Sequence, residues 1–174
     1  MFERTEFGNS RVDFRTVDFG SGRINFNRSV FGHGEINFEG ATSREGKMQF
    51  KKAELGAGLK NFSLMEMENT EISFEKTIFG DGDVNFCESK FYTISLKSCH
   101  LNQYVDLRLA KAKLIDISDT VVRDIIDLEP YGFPVDIEVL DLSGMRLIGK
   151  LYIDWRENHC QDLIIKQEGT TLKQ

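Results

Sequence analysis

Phenylalanine recurs along this chain with a fixed step. Phe2, Phe14, Phe26, Phe38, Phe50, Phe62, Phe74 and Phe86 are eight successive positions twelve residues apart. With 14 Phe in 174 residues, independent draws would give that run about once in a billion trials. A second apolar register, Phe7, Phe19, Phe31, Ser43, Leu55, Met67, Phe79 and Phe91, has the same step and is polar only at Ser43. Triplets such as Ile24-Asn25-Phe26, Ile36-Asn37-Phe38, Ile72-Ser73-Phe74 and Val84-Asn85-Phe86 alternate apolar and polar positions. That is the two-residue period of a strand, here about three residues long. Glycine pairs at Gly20-Ser21-Gly22, Gly32-His33-Gly34, Gly56-Ala57-Gly58 and Gly80-Asp81-Gly82 read as turns, because glycine enters positive φ without a Cβ clash. A helix is excluded here, since glycine pairs and β-branched triplets at this spacing keep no helical face.

One such unit is too small to bury its own Phe. Stacking units at about 4.8 Å sets ring on ring and pairs the backbones between coils. The expected fold is therefore all-β, a β-solenoid. Beyond Ser89 the glycine corners vanish and the inward pairs follow at steps of five: Ser89/Phe91, Ile94/Leu96 and Cys99/Leu101. After one extra residue come Val105/Leu107, Ala110/Ala112, Ile115/Ile117 and Thr120/Val122. The twelve-residue unit thus equals two five-residue faces plus a two-residue corner insertion.

Val12-Asp13-Phe14-Arg15-Thr16, Val17-Asp18-Phe19, Val105-Asp106-Leu107 and Ile115-Asp116-Ile117 carry a small or apolar residue, then Asp, then Phe, Leu or Ile. In this the chain resembles the pentapeptide-repeat family over about residues 2–128, and weakly over 135–153. The resemblance implies a right-handed quadrilateral β-helix of four faces per coil, with about 24 residues per coil early and about 20 later. The chain departs from the family in its corner insertions. It also alternates large residues (Ile24, Ile36, Ile72, Val84) with small ones (Ser29, Ala41, Ala53, Thr77, Ser89) two places before the central apolar residue. A longer corner widens the coil and a larger side chain fills the room, since interiors tolerate no void. The alternative is a thin twelve-residue coil, too narrow for two Phe per turn.

Glu129-Pro130-Tyr131-Gly132-Phe133-Pro134 holds both prolines and reads as a loop. Leu140-Asp141-Leu142, Met145-Arg146-Leu147 and Leu151-Tyr152-Ile153 resume the ladder, giving one solenoid domain over 2–153 and a polar tail over 154–174. Phe2 and Phe7 are already in phase, so the first coil offers bare strand edges and rings. They are expected to stack on another chain, through a protein partner or self-association, or on sequence beyond this stretch.

Composition narrows the chemistry. The 22 basic and 28 acidic residues leave a net charge of −6, unlike the basic footprint that binds a nucleic-acid backbone. No apolar run approaches a membrane span and the first residues have no apolar core. With three irregularly spaced cysteines, Cys87, Cys99 and Cys160, the expectation is a cytoplasmic chain with reduced thiols and no membrane contact. Gly80-Asp81-Gly82-Asp83 resembles a calcium-binding turn, but the other corners carry Ser21, His33 and Ala57, so stacked oxygens are not supplied. Cys99-His100 and His159-Cys160 lack a zinc ligand spacing, and His33 has no acid partner at a set spacing. No cofactor, metal or catalytic set is expected, and the chain is read as no enzyme.

One charged stretch stands out. Between 115 and 141 lie Asp116, Asp119, Asp124, Asp127, Glu129, Asp136, Glu138 and Asp141, against the single base Arg123. Stacked coils are expected to gather them into an acidic interaction face. The favoured function is a non-enzymatic scaffold or protein-interaction module, on its own or as part of a larger protein. The alternative, which the resemblance supplies, is a DNA-mimicking regulator of a nucleic-acid enzyme such as a type II topoisomerase.

Overall fold

The computed structural model describes residues 1–130 and 132–164, with the backbone alone at 159–161, 163 and 164. All its strands are parallel, and no helix occurs among the described residues. One seven-stranded wall runs through β1 (Val12–Asp13), β3 (Ile36–Asn37), β5 (Lys60–Asn61), β7 (Val84–Asn85), β10 (Val105–Asp106), β13 (Ile125–Asp127) and β16 (Lys150–Tyr152). A second runs through β2 (Ser21–Asn25), β4 (Glu45–Gln49), β6 (Glu66–Ser73), β8 (Lys90–Ser95), β11 (Lys111–Asp116), β14 (Val135–Asp141) and β17 (Asn158–Ile164). A third wall consists of β9 (His100–Leu101), β12 (Val121–Val122) and β15 (Arg146–Leu147). Bridges Glu6–Val30–Glu54–Ile78 and Asp18–Thr42–Glu66 supply the remaining pairing between early coils.

The coil length follows from the register. Val12 lies opposite Ile36, Ile36 opposite Lys60 and Lys60 opposite Val84, steps of 24. Val84, Val105 and Ile126 then follow at steps of 21, and Ile126 meets Leu151 at 25. The thin twelve-residue coil is thereby excluded, and the chain is a parallel β-solenoid of about six turns.

The interior is built on stacked rings. Phe2, Phe26, Phe50 and Phe74 form one column, with centroids 4.9, 4.8 and 4.8 Å apart and nearly parallel planes. Phe14, Phe38, Phe62 and Phe86 form the second, at 4.8, 5.2 and 5.1 Å. Between columns the rings meet edge-on, as in Phe26 against Phe38 at 5.7 Å and 87°. Both arrangements suit the aromatic quadrupole, and each pair contributes about 0.5–1.5 kcal/mol beyond simple burial.

The polar positions also have structural reasons. The side-chain oxygen of the Asn or Asp before each central residue accepts the main-chain N–H two residues beyond that oxygen's own. Asn37 takes Glu39, Asn85 takes Cys87, Asp106 takes Arg108 and Asp127 takes Glu129, at 2.8–3.0 Å. The inward hydroxyls close the opposite side: Thr77, Ser89 and Thr120 donate to the carbonyls of Phe50, Phe62 and Leu96 in the preceding coil. Small polar residues therefore satisfy buried backbone oxygens while leaving room for the rings.

The structure departs from the sequence expectation in four places. Gly20-Ser21-Gly22 is not a compact turn: β2 begins at Ser21, and Gly22 pairs in register with Gly46. Ala110 is exposed, and Leu109 turns inward instead, because a tight bend closes on the Leu109 N–H to Leu107 carbonyl bond of 2.7 Å. The coils beyond Val84 take 21, 21 and 25 residues against the expected about 20, the last lengthened by the connection between β13 and β14. Finally, the ladder continues into the stretch read as a polar tail. β17 pairs with β14 from Val135–Asn158 to Asp141–Ile164. The signal was hidden by a polar residue at an inward position: Asn158 is buried and its amide donates to the Leu128 carbonyl at 2.8 Å. The remainder of that tail, 165–174, lies outside the described residues.

Candidate functional site

With the interior filled by rings, any site must lie on the outer faces, at the corners or at the ends. The eight acids of 115–141 do not share one face. Asp116, Asp136, Glu138 and Asp141 lie on the β11–β14 wall, beside Lys111 and Lys113. Asp127 lies on β13, while Asp119 and Asp124 flank β12 and Glu129 follows β13. Three of the eight cap turns through their carboxylates: Asp116 for Ser118, Asp127 for Glu129 and Asp141 for Ser143. Others face a base, with Asp119 3.7 Å from Lys97 and Glu138 3.5 Å from Lys113. A stretch dense in acid along the sequence becomes a belt around the rod, because each coil passes every wall in turn. Motif spacing could have revealed this, since Asp116, Asp127 and Asp141 precede the central Ile117, Leu128 and Leu142.

One connected polar cluster is absent from the sequence reading. On the β10–β13 wall, Arg108 bonds Asp106, and the Tyr104 hydroxyl donates to Asp127 at 3.0 Å. The bond from Asp106 raises the Arg108 pKa, and burial together with the bond to Asp127 raises that of Tyr104. Arg108 stays charged and Tyr104 neutral, and the Tyr104–Asp127 bond ties two coils together. On the exposed first coil, the Arg15 side chain and main-chain N–H hold the Asp13 carboxyl at about 2.

A groove of about 500 Å³ opens where the 24-residue coils end. The Gly80-Asp81-Gly82 corner projects over a shorter coil, leaving a ledge lined by Ile78, Asp81, Ser98, His100 and Asn102. Asp81 and Asp83 thus stand at a single corner, and among the described residues no three metal-binding side chains come together. Cys99 is buried in the column of inward hydroxyls and its thiol donates to the Phe74 carbonyl at 3.0 Å. Burial pushes that thiol up to about 12. His100 and His33 are exposed; the side chains of His159 and Cys160 lie outside the described residues.

Lys60 is the second unread feature. It occupies the inward column of Ile36 and Val84, is fully buried, and donates from Nζ to the Gly82 carbonyl at 3.0 Å. Burial lowers its pKa to about 8, against the pull of Asp81 and Asp83.

Large apolar side chains also reach the outside. Phe133 is 82% exposed and Trp155 52%. Both lie in connections from the β13/β16 wall to the β14/β17 wall, one coil apart. Phe2, Phe7, Phe14 and Phe19 are partly buried at the first coil. Among the described residues no helix is long and apolar enough to cross a membrane.

No family model, no curated protein and no solved structure matches this chain.

Proposed function

We propose that this protein is a non-enzymatic scaffold that binds another protein, built as a divergent, pentapeptide-repeat-like prism. The observation that carries the reading is the pair of exposed aromatics, Phe133 and Trp155, at neighbouring levels of one corner. Aromatic side chains are the residue type that most often anchors a protein interface. Here they project from a stack whose every coil is tied to the next by backbone bonds, so little ordering entropy opposes binding. The duplex-mimicking alternative draws less support, because the acids of 115–141 are split between walls and three of them cap turns.

The test is affinity capture from the source cells with wild-type bait and with a Phe133→Ser/Trp155→Ser bait. The reading expects a partner retained by the first and lost by the second, with identical far-ultraviolet circular dichroism. A partner held equally by both baits overturns the use of this corner. Inhibition of topoisomerase supercoiling by the purified protein would favour the mimic instead.

A further inference from the structure

One corner of the prism carries a row of like charges. Arg4, Arg28, Lys52 and Lys76 hold the same turn position in four successive coils, each with φ of 57–58°. Their main-chain N–H groups donate to the carbonyls of Asn27, Lys51, Glu75 and Lys97, each the residue before the equivalent position one coil on. All four residues are exposed, and among the described residues none of the four side chains makes a hydrogen bond or ion pair. The acids that precede two of them are engaged elsewhere: Glu75 holds Lys51 at 2.7 Å and Glu3 accepts the Asn25 amide at 3.2 Å. Lys47, Lys90 and Lys111 on the second wall, by contrast, each face a glutamate.

The fold does not call for a base at this position. Ser98 and Asp119 take it in the next two coils, with φ of 56°, and a left-handed backbone favours Gly, Asn or Asp. Successive levels lie 4.8 Å apart in the ring column, well inside the screening length of about 8 Å at physiological salt. The four charges therefore repel one another, as like charges on adjacent strands do. The adjoining face is also unusual. Its outward column runs Glu6, Val30, Glu54 and Ile78, and Val30 and Ile78 are exposed apolar residues. Acidic and apolar side chains thus alternate beside the row of bases.

A polyphosphate or nucleic-acid strand would neutralise the row but leave Val30 and Ile78 uncovered. An α-helix laid along the rod axis meets both columns. Its turn of about 5.4 Å is close to the coil rise, so one acid per turn follows the bases, whose long side chains take up the difference. Val30 and Ile78 are two levels apart, close to two helical turns. A neighbouring helical stripe with an apolar residue at every seventh position and a base between meets Val30, Glu54 and Ile78 in turn. We propose that this corner and face bind an acidic amphipathic helix of a partner protein, its carboxylates along Arg4, Arg28, Lys52 and Lys76 and its apolar stripe on Val30 and Ile78. The rigid backbone ladder fixes the row before binding, so little ordering entropy opposes the contact. This goes beyond the corner at Phe133 and Trp155, which lies at a different edge and toward the other end of the rod.

The test titrates a labelled helical peptide of about 18 residues into the full chain by fluorescence anisotropy. The peptide carries Glu at each turn of one stripe and Leu alternating with Lys on the next. It is expected to bind about tenfold tighter than a peptide of the same composition with the stripes scrambled, and to weaken as salt rises. Arg28→Gln/Lys52→Gln is expected to cost about tenfold in affinity. Arg146→Gln/Lys150→Gln removes the same charge from exposed residues elsewhere and is expected to stay within about twofold. Ile78→Ser is expected to cost about threefold. All three variants should keep the wild-type circular dichroism. Equal affinity for the two peptides, or equal losses in the two double variants, overturns the proposal, and so does a lack of binding at about 100 μM. Inorganic polyphosphate that binds through Arg28 and Lys52 where the striped peptide does not would assign the row to a polyanion instead. The Phe133→Ser/Trp155→Ser chain is expected to bind the peptide as the wild type does, so failure here leaves capture by that corner untouched.

Discussion

Lys60 sits where neighbouring coils place Ile36 and Val84, with a single carbonyl, that of Gly82, bonded to its ammonium. Its folded pKa of about 8 lies below the ordinary 10.5, so the charged form is disfavoured by folding. Between those two values the unfolded chain binds more protons than the folded one. Stability contributed by this residue therefore rises with pH from about 8 to 10.5 and is flat at its low value below 8. The depression corresponds to a cost on the order of 3 kcal/mol at neutral pH. Lys60→Met is expected to raise the melting temperature by several degrees at pH 7. In urea titrations across pH 7–11, its stability difference from wild type should shrink as pH rises; a constant difference would refute the assignment. Cys99→Ser is expected to change stability by less than about 1 kcal/mol, since Thr77 and Thr120 place hydroxyls in the same role on neighbouring coils. Both residues show the limits of periodicity. The Phe columns were legible because each inward position repeats in type. Lys60 and Asn158 were not, because a polar residue can occupy an inward position once its polar atoms find a backbone carbonyl, and sequence spacing does not report that bond.

At the scale of the strand and corner, stacking distance sets what is allowed. A Cβ on Gly56 would lie 1.8 Å from the Gly32 carbonyl oxygen, and its φ is +65°. Gly56→Ala is thus expected to destabilise by roughly 2–4 kcal/mol, whereas Ala57→Ser at the exposed tip should stay within about 0.5 kcal/mol. Denaturant midpoints of the two variants check the contrast; equal midpoints would show that the corner is loosely stacked. A different turn follows the other face, and there Leu64 holds φ at 57° while exposed. Gly40 takes that place one coil earlier. Leu64→Gly removes about 1–2 kcal/mol of left-handed strain and costs about 0.4–1 kcal/mol in unfolded-chain entropy, so a small net rise in melting temperature is expected. The loss of the glycine corners beyond Ser89 was legible in the sequence. How the chain absorbs it was not: β6 bulges between Met67 and Glu71 against β8, and Glu68 reaches Lys111 at 2.9 Å two coils on. The acidic stretch misled for a related reason, since proximity along the chain becomes angular separation around a coil.

Across the whole molecule, each coil contacts chiefly the ones above and below it, so stability is distributed along one axis. The middle of the aromatic ladder has rings on both sides: Phe50 stacks on Phe26 and Phe74 and is fully buried. Phe2, in the first coil, stacks on Phe26 alone and is partly buried. Phe50→Ala leaves a cavity whose lining is held by backbone ladders on four sides and cannot collapse, so a loss of about 3–5 kcal/mol is expected. Phe2→Ala removes less buried surface and leaves no enclosed void, so the loss should be well under half of that in the monomer. Urea midpoints of the two variants against wild type check the contrast; equal losses would show that a ring with one stacked neighbour is held as tightly as one with two.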